Sequence, residues 1–129
     1  ASLRFVCRRV LLRVEDNSSP FTRLTRPGEL LEMPVKHGEG CYYADSTTLT
    51  ELRDNRQVLL RYSNAKGEAC DTANPNGSVD GIAGLCNRGR NVFGLMPHPE
   101  DAAETMLGGV SGLKIFSSMI AEIRNGCGA

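Results

Sequence analysis

The chain has 129 residues, enough for one compact domain, and its 15 basic side chains are balanced by 15 acidic ones. A balanced charge provides no positive field of the kind that attracts phosphate backbones, so we expect no nucleic acid partner. No apolar run approaches the roughly 20 residues needed to cross a bilayer, and the first residues lack a signal-peptide core. We therefore expect an unsecreted protein with no membrane partner.

The cysteines point to a reducing compartment. There are five of them, at positions 7, 41, 70, 86 and 127, and none forms a Cys-x-x-Cys pair. An odd number without paired spacing fits neither a disulfide framework nor a zinc ribbon. The sequence thus predicts a cytoplasmic protein with free thiols.

Strand patterns and turn formers alternate along the first half of the chain. Strands are predicted over Leu3–Val14, Leu30–Val35 and Gln57–Tyr62, and a short helix over Asp45–Asn55 with its N-cap at Asp45 or Ser46. In the first strand the apolar face carries Val6, Val10, Leu12 and Val14, and Arg8 interrupts it. Polar loops are predicted over 37–40 and 63–78.

The second half begins with a predicted hairpin and ends with two predicted helices. Ile82–Leu85 and Val92–Met96 are apolar runs joined by a glycine-containing turn. One helix is expected to open at Glu100 and to end at Gly108–Gly109. The last helix, Ser111–Arg124, is expected to turn one apolar face towards a core, formed by Leu113, Phe116, Ile120 and Ile123.

The sharpest chemical signal is Pro97-His98-Pro99-Glu100. Each proline disfavours helical backbone in the residue before it, so His98 is expected to be extended. A carboxylate two positions later can then reach the imidazole, fix its tautomer and stabilise the imidazolium, as in a catalytic triad. The alternative is a plain strand-to-helix junction in which Glu100 meets the helix dipole.

No nucleophile stands out near this pair. Cys86, in Gly84-Leu-Cys-Asn-Arg-Gly89, superficially resembles a nucleophile elbow, but an elbow is followed by a helix and here a strand pattern follows. We expect Cys86 to be a small apolar residue of the hairpin. His37 and Cys41 are spaced like metal ligands, but the glycines between them favour a tight loop, and we predict no metal site.

Five motifs together carry a family resemblance. They are Leu12-Arg-Val-Glu15, Pro34-Val-Lys-His-Gly-Glu-Gly40, Asn74-Pro-Asn-Gly-Ser78, Ile82-Ala-Gly84 and Met96-Pro-His-Pro-Glu100. In order and spacing the chain resembles the glutaminase subunits of phosphoribosylformylglycinamidine synthases, in their small, separate-subunit form. These belong to the class I glutamine amidotransferases, so the resemblance implies an α/β fold with a flavodoxin-like sheet and flanking helices.

The resemblance also implies a role for each of several parts of the chain. Residues 1–129 would be the C-terminal part of a single amidotransferase domain, and the N-terminal part with the nucleophilic cysteine elbow would be absent. His98 would be the general base and acid, and Glu100 its orienter. Ser2 and Phe5 would belong to a segment that helps to hold glutamine, and His37, Asn76, Gly77 and Ser78 would shape the site or face a partner.

The implied reaction is hydrolysis of glutamine to glutamate and ammonia for purine biosynthesis. Ammonia would pass to a synthetase subunit, accompanied by a small accessory subunit, for transfer to formylglycinamide ribonucleotide. ATP and magnesium would belong to that synthetase, so no cofactor is expected on this chain. Alone, the chain is expected to be inactive and, as half of a sheet, to expose apolar surface.

One position departs from the family pattern, and two other functions stay open. Asp101 stands where the related proteins usually have arginine, which could change either His98 or a partner contact. The chain could instead serve another synthetase, or it could be a non-catalytic binding fragment.

Overall fold

The computed structural model describes residues 5–126, which form one sheet and two α-helices. The strands are β1 (Val6–Val14), β2 (Leu30–His37), β3 (Val58–Ser63), β4 (Ile82–Cys86) and β5 (Phe93–Leu95). The helices are α1 (Ser46–Asp54) and α2 (Leu113–Gly126). The predicted α/β class is confirmed.

The five strands lie in the order β2-β1-β3-β4-β5, and every neighbouring pair is antiparallel. β1 pairs with β2 from Val6 opposite His37 to Arg13 opposite Leu30. β4 and β5 form the predicted hairpin, in which Cys86 lies opposite Phe93. The sheet therefore holds the end of β2 beside the start of β1.

The core follows the alternation of the strands. Val10, Leu12 and Val14 are buried and Arg8 is exposed, as the apolar pattern of β1 predicts. β2 adds Leu31, Met33 and Val35, and β3 adds Leu59, Leu60 and Tyr62. Burying each large aliphatic side chain stabilises the fold by roughly 2 kcal/mol, so this sheet is a firm support for the loops at its ends.

Helix α1 begins where its cap predicts. The Asp45 carboxylate accepts a hydrogen bond from the backbone N–H of Thr48 at 2.9 Å, which satisfies a donor that the first turn cannot pair. Leu52 is the buried residue of this helix, and it packs with Val58 and Ile82 in a small second cluster.

The helix predicted from Glu100 to Gly108 is wrong. Two short 3-10 turns replace it, Pro99–Ala102 and Thr105–Leu107. Glu104 between them is extended, at φ −137° and ψ 144°, and pairs with Gly109 in an isolated bridge. An extended residue that pairs across the segment cannot also continue a helix.

The predicted orientation of the last helix is also wrong. Ile115 and Ser118 are its buried residues, whereas Leu113, Ile120 and Ile123 are 46%, 56% and 64% exposed. The Ser118 hydroxyl accepts the Leu24 backbone N–H at 3.1 Å and donates to the Lys114 carbonyl at 2.7 Å. This hydroxyl anchors the opposite face, so Leu113, Ile120 and Ile123 of the predicted face lie outward, whereas Phe116 is half-buried. Within residues 5–126, no helix combines the length and the apolar character that crossing a membrane requires.

Candidate active site

His98 is attached to the sheet through its own backbone. It is extended, at φ −97° and ψ 95°, and its N–H donates to the Pro34 carbonyl of β2 at 2.8 Å. Pro97 and Pro99 have no N–H, so His98 provides the backbone donor of this three-residue stretch, and β2 accepts it. The proline pattern predicts the extended conformation correctly.

The structure brings His98 and Glu100 together. The Nδ1 atom of His98 lies 2.6 Å from Oε1 of Glu100. The contact closes through the 3-10 turn that begins at Pro99, and not through two extended residues as the sequence suggested. With Nδ1–H donated to the carboxylate, Nε2 remains as the nitrogen that can exchange a proton with a substrate. The His98 side chain is 32% exposed, which leaves it accessible.

The charge of Glu100 is maintained by its neighbours. Burial raises the pKa of Glu100, but the hydrogen bond from His98, a backbone N–H and the charge of His98 together outweigh it, so the net pKa is lowered. The carboxylate is therefore ionised at neutral pH and can stabilise an imidazolium at His98.

Asp101 is paired with a lysine of β2. Its carboxylate contacts the Lys36 ammonium, and this hydrogen bond lowers the pKa of Asp101 and raises the pKa of Lys36. Ligand atoms of His98, Glu100 and Asp101 all lie within 4.8 Å of one another. Because Glu100 is engaged by His98 and Asp101 by Lys36, we assign no metal to this cluster.

A largely apolar cavity of about 460 Å³ adjoins the pair. Its walls include Phe21 and Phe93, whose rings stack 4.9 Å apart, together with Met96, Ile115 and Met119, and its lining also contains His98 and Glu100. A cavity of this size with few polar groups is typical of small-molecule sites. The sequence did not indicate this cavity, because Phe21 and α2 reach it only through the tertiary fold.

The loop residues predicted to shape the site form a hydrogen-bonded group at the C-terminal end of β2. His37 is 9% exposed, and its Nε2 lies 2.9 Å from Nδ2 of Asn76. Asn76 Oδ1 accepts the Ser78 hydroxyl at 2.7 Å, and the Gly77 N–H donates to Asn74 at 3.1 Å. Burial, and after it the charge of His98, lower the pKa of His37. The group thus lies within electrostatic range of His98.

The cysteines of the described residues do not complete a triad. Cys86 is fully buried in β4, its pKa is raised chiefly by burial, and a turn and β5 follow it, so the prediction of a small apolar hairpin residue is confirmed. Cys41 Sγ lies 3.3 Å from the Gly77 carbonyl, whereas the His37 ring meets Asn76. These two side chains therefore have different partners, which argues against a shared metal.

The two residues expected near glutamine are not placed at the cavity. Ser2 lies outside the described residues. Phe5, immediately before β1, is 70% exposed and does not line the cavity beside His98. Lys36 is a contact of the site that sequence reasoning missed, since the pairing of positions 36 and 101 depends on how β2 meets the C-terminal segment.

Comparison with known proteins adds independent information. Residues 1–110 match the family model of a CobB/CobQ-like glutamine amidotransferase domain. The chain is similar to a protein named phosphoribosylformylglycinamidine synthase subunit PurQ in Gloeobacter violaceus, at 52% identity over 120 residues, and in Salinibacter ruber, at 54% over 122 residues. These alignments cover 93% and 95% of this chain but 52% of each relative.

A solved structure agrees with the sequence matches. The structure titled PurLQS from Thermotoga maritima contains a chain that is 39% identical, with a TM-score of 0.76. The match covers 95% of this chain and 50% of that one. The chain thus spans about half the length of the relatives it matches.

Proposed function

Because this chain belongs to the CobB/CobQ-like glutamine amidotransferase family, we propose that it carries the acid–base pair of a glutaminase active site. The whole protein would be the glutaminase subunit of a phosphoribosylformylglycinamidine synthase, supplying ammonia for purine biosynthesis. The observation that carries the proposal is the 2.6 Å contact between His98 Nδ1 and Glu100 Oε1, beside an accessible cavity. The names of the related proteins support the choice of synthetase.

In the proposed reaction His98 moves the protons. Its Nε2 takes the proton of a cysteine thiol, and the thiolate attacks the side-chain amide carbon of glutamine. The imidazolium, stabilised by Glu100, then returns the proton to the leaving nitrogen, so that ammonia departs and a thioester remains. His98 next takes a proton from water, the resulting hydroxide attacks the thioester, and the sulfur recovers the proton as glutamate leaves.

The nucleophile in this scheme is a cysteine outside the described residues. Among residues 5–126 no cysteine is hydrogen-bonded to His98, and Cys86 is buried with a raised pKa. A thiol that is buried and protonated is a poor nucleophile. We place the protein in the cytoplasm, where exposed thiols such as those of Cys7 and Cys41 stay reduced.

The proposed partners follow from the same relatives. By likeness to the PurLQS structure, the full protein would assemble with a synthetase and a small accessory subunit. His37, Asn76, Gly77 and Ser78 would support the site, and Ser2 and Phe5 would contribute to glutamine binding.

The test is glutamine hydrolysis by the full-length subunit assembled with its synthetase. We expect His98→Asn to lower kcat by about 10²- to 10⁴-fold, because general acid–base transfer is lost. Cys86→Ala should retain activity within roughly threefold, because the thiol is a buried packing group. Full activity of His98→Asn would overturn the proposal, and loss of activity in a folded Cys86→Ala would overturn the assignment of the nucleophile.

A further inference from the structure

Asn76 contacts His37 through an amide whose orientation is fixed. Its Oδ1 accepts the Ser78 backbone N–H at 3.1 Å and the Ser78 hydroxyl at 2.7 Å. Its Nδ2 donates to the Gly40 carbonyl at 2.7 Å and lies 2.9 Å from His37 Nε2. Reversing the amide would place an oxygen against the Gly40 carbonyl and a nitrogen against the Ser78 donors. The nitrogen therefore faces His37.

This orientation determines where the His37 proton resides. An amide nitrogen has two hydrogens and no acceptor capacity, so His37 Nε2 must accept and cannot carry a proton. The proton of the neutral ring is then on Nδ1, which is buried and has no hydrogen-bond partner among residues 5–126. A cationic ring would set Nε2–H against the amide hydrogens, so the contact also disfavours protonation.

The pocket around the ring is closely fitted. A Cβ atom at Gly40 would lie 1.8 Å from Cδ2 of His37, so glycine is required for the loop to pass over the imidazole. Tyr62 Oη approaches Asn76 Nδ2 at 3.4 Å, and burial raises the pKa of Tyr62 to about 12, so this neighbour is uncharged. On the sides formed by Gly40, Asn76 and Tyr62, the ring thus contacts neutral groups.

Ionisable groups lie on several of the elements around His37. Arg8 of β1 is on the same face of the sheet as His37, because Val6 pairs with His37 and Arg8 pairs with Val35. Others are Tyr62 of β3, Glu39 and Cys41 of the following loop, and His98, Glu100 and Asp101 of the segment that contacts β2. Lys36, the preceding residue, is engaged by Asp101. Of these groups, His98 is the one whose charge lowers the pKa of His37. Because such coupling is reciprocal, a charge on His37 would oppose the imidazolium at His98.

We propose that Asn76 is a positioning residue that holds His37 as a neutral, Nδ1-protonated ring, so that no second cation forms near His98. This inference rests on the proposed function only because that function makes His98 a catalytic residue. The inference deepens that function, because an imidazolium must form at His98 twice in each turnover.

The test is NMR of the histidine rings in this chain. The sequence has only two histidines, so two sets of ring signals are expected, and His98→Asn identifies the remaining one as His37. Long-range proton–nitrogen correlation should show His37 as the neutral Nδ1–H tautomer at neutral pH, and on acidification the ring should become protonated only below the usual range of an imidazole. An Nε2–H tautomer, or protonation of His37 in the usual imidazole range, would overturn the inference.

A matched pair of variants tests the role of Asn76. In Asn76→Asp a carboxylate can accept Nε2–H, so His37 should become a doubly protonated cation in the same spectra. Thr72→Asp adds the same charge at an exposed position of the same loop and should leave His37 as the neutral Nδ1–H tautomer. Asn76→Asp behaving like Thr72→Asp would overturn the inference, and if neither variant folds, the wild-type tautomer decides. The readout needs no glutaminase activity, so failure here is distinct from failure of the proposed function.

Discussion

At the scale of single residues, the His98 imidazole has one nitrogen that is hydrogen-bonded to Glu100 and one that can exchange a proton with a substrate. Glu100 accepts from Nδ1 at 2.6 Å, and Pro34 of β2 fixes the backbone of His98. A ring held in this way presents Nε2 in one orientation, which is what a general base requires. The adjacent Asp101 is tied to Lys36, so its negative charge is partly offset.

A buried carboxylate, Asp16, makes stability depend on pH. It is 2% exposed and pairs with Arg56 at 2.6 Å and Arg90 at 3.4 Å. Burial raises its pKa, but hydrogen bonds from Ser18 and the two arginine charges outweigh burial, so the net pKa is lowered from 3.8. A lowered folded-state pKa gives stability that is present above the unfolded value and lost as pH falls through the folded one.

We therefore expect Asp16→Asn to lower the free energy of unfolding at neutral pH by about 2 kcal/mol. In the variant, the free energy of unfolding should also fall less steeply than in wild type as the pH drops below about 4, as measured by urea unfolding at a series of pH values. Asp54→Asn is the control, because Asp54 is exposed and has no ion-pair partner among residues 5–126. If the free energy of unfolding fell equally steeply at acid pH in wild type and Asp16→Asn, this account would be contradicted.

At the scale of elements, the contact between the start of α2 and the Pro99 turn supports His98. The Gly112 N–H donates to the Ala102 carbonyl at 2.8 Å, and a Cβ at Gly112 would lie 2.1 Å from the Pro99 carbonyl oxygen. The neighbour is backbone, so it cannot move aside as a flexible side chain could. Close approach here requires glycine.

Gly112→Ala should accordingly destabilise the chain by about 2 to 3 kcal/mol and disturb the His98–Glu100 contact. Thermal unfolding and the ring signals of His98 would report the two effects. Gly38→Ala is the matched control, because its Cβ would meet nothing within 4 Å. A Gly112→Ala protein as stable as Gly38→Ala would show that the two segments do not pack as described.

Patterns among neighbouring residues predicted the helices and strands better than they predicted how these elements pack against one another. The alternation in β1, the cap at Asp45 and the hairpin around Cys86 depend on neighbouring residues, and all were predicted from the sequence. The Glu100 helix failed because Glu104 pairs with Gly109, and the face of α2 failed because Ser118 anchors the opposite side. The His98–Glu100 pair was predictable from spacing, but the contacts of Lys36 and Phe21 depend on distant parts of the chain.

At the scale of the whole molecule, the outward face of α2 is an apolar surface. Leu113, Ile120 and Ile123 are each about half exposed, and Met106 and Leu107 in the preceding turn are also exposed. Exposed apolar side chains grouped on one helix face favour association. This agrees with the expectation that the chain exposes apolar surface.

We expect the isolated chain to associate as its concentration rises, and Ile120→Gln with Ile123→Gln to weaken that association at least about tenfold. Both side chains are exposed, so the free energy of unfolding should change by less than about 0.5 kcal/mol each. Sedimentation velocity would measure the association. Val92→Gln, a change at a residue that is 60% exposed and lies outside α2, should have no such effect. A chain that is monomeric at all concentrations would contradict the prediction.

The central claim is that Glu100 directs the His98 imidazole, and kcat for glutamine hydrolysis by Glu100→Gln in the full assembled enzyme tests it most directly. The amide keeps the shape of the side chain but loses the charge, so we predict a fall of about 10²- to 10⁴-fold in kcat with KM changed by less than about threefold. Glu104→Gln, the same change at an exposed residue of the same segment, should keep kcat within about twofold. If Glu100→Gln turned over glutamine as fast as Glu104→Gln, the claim would be contradicted.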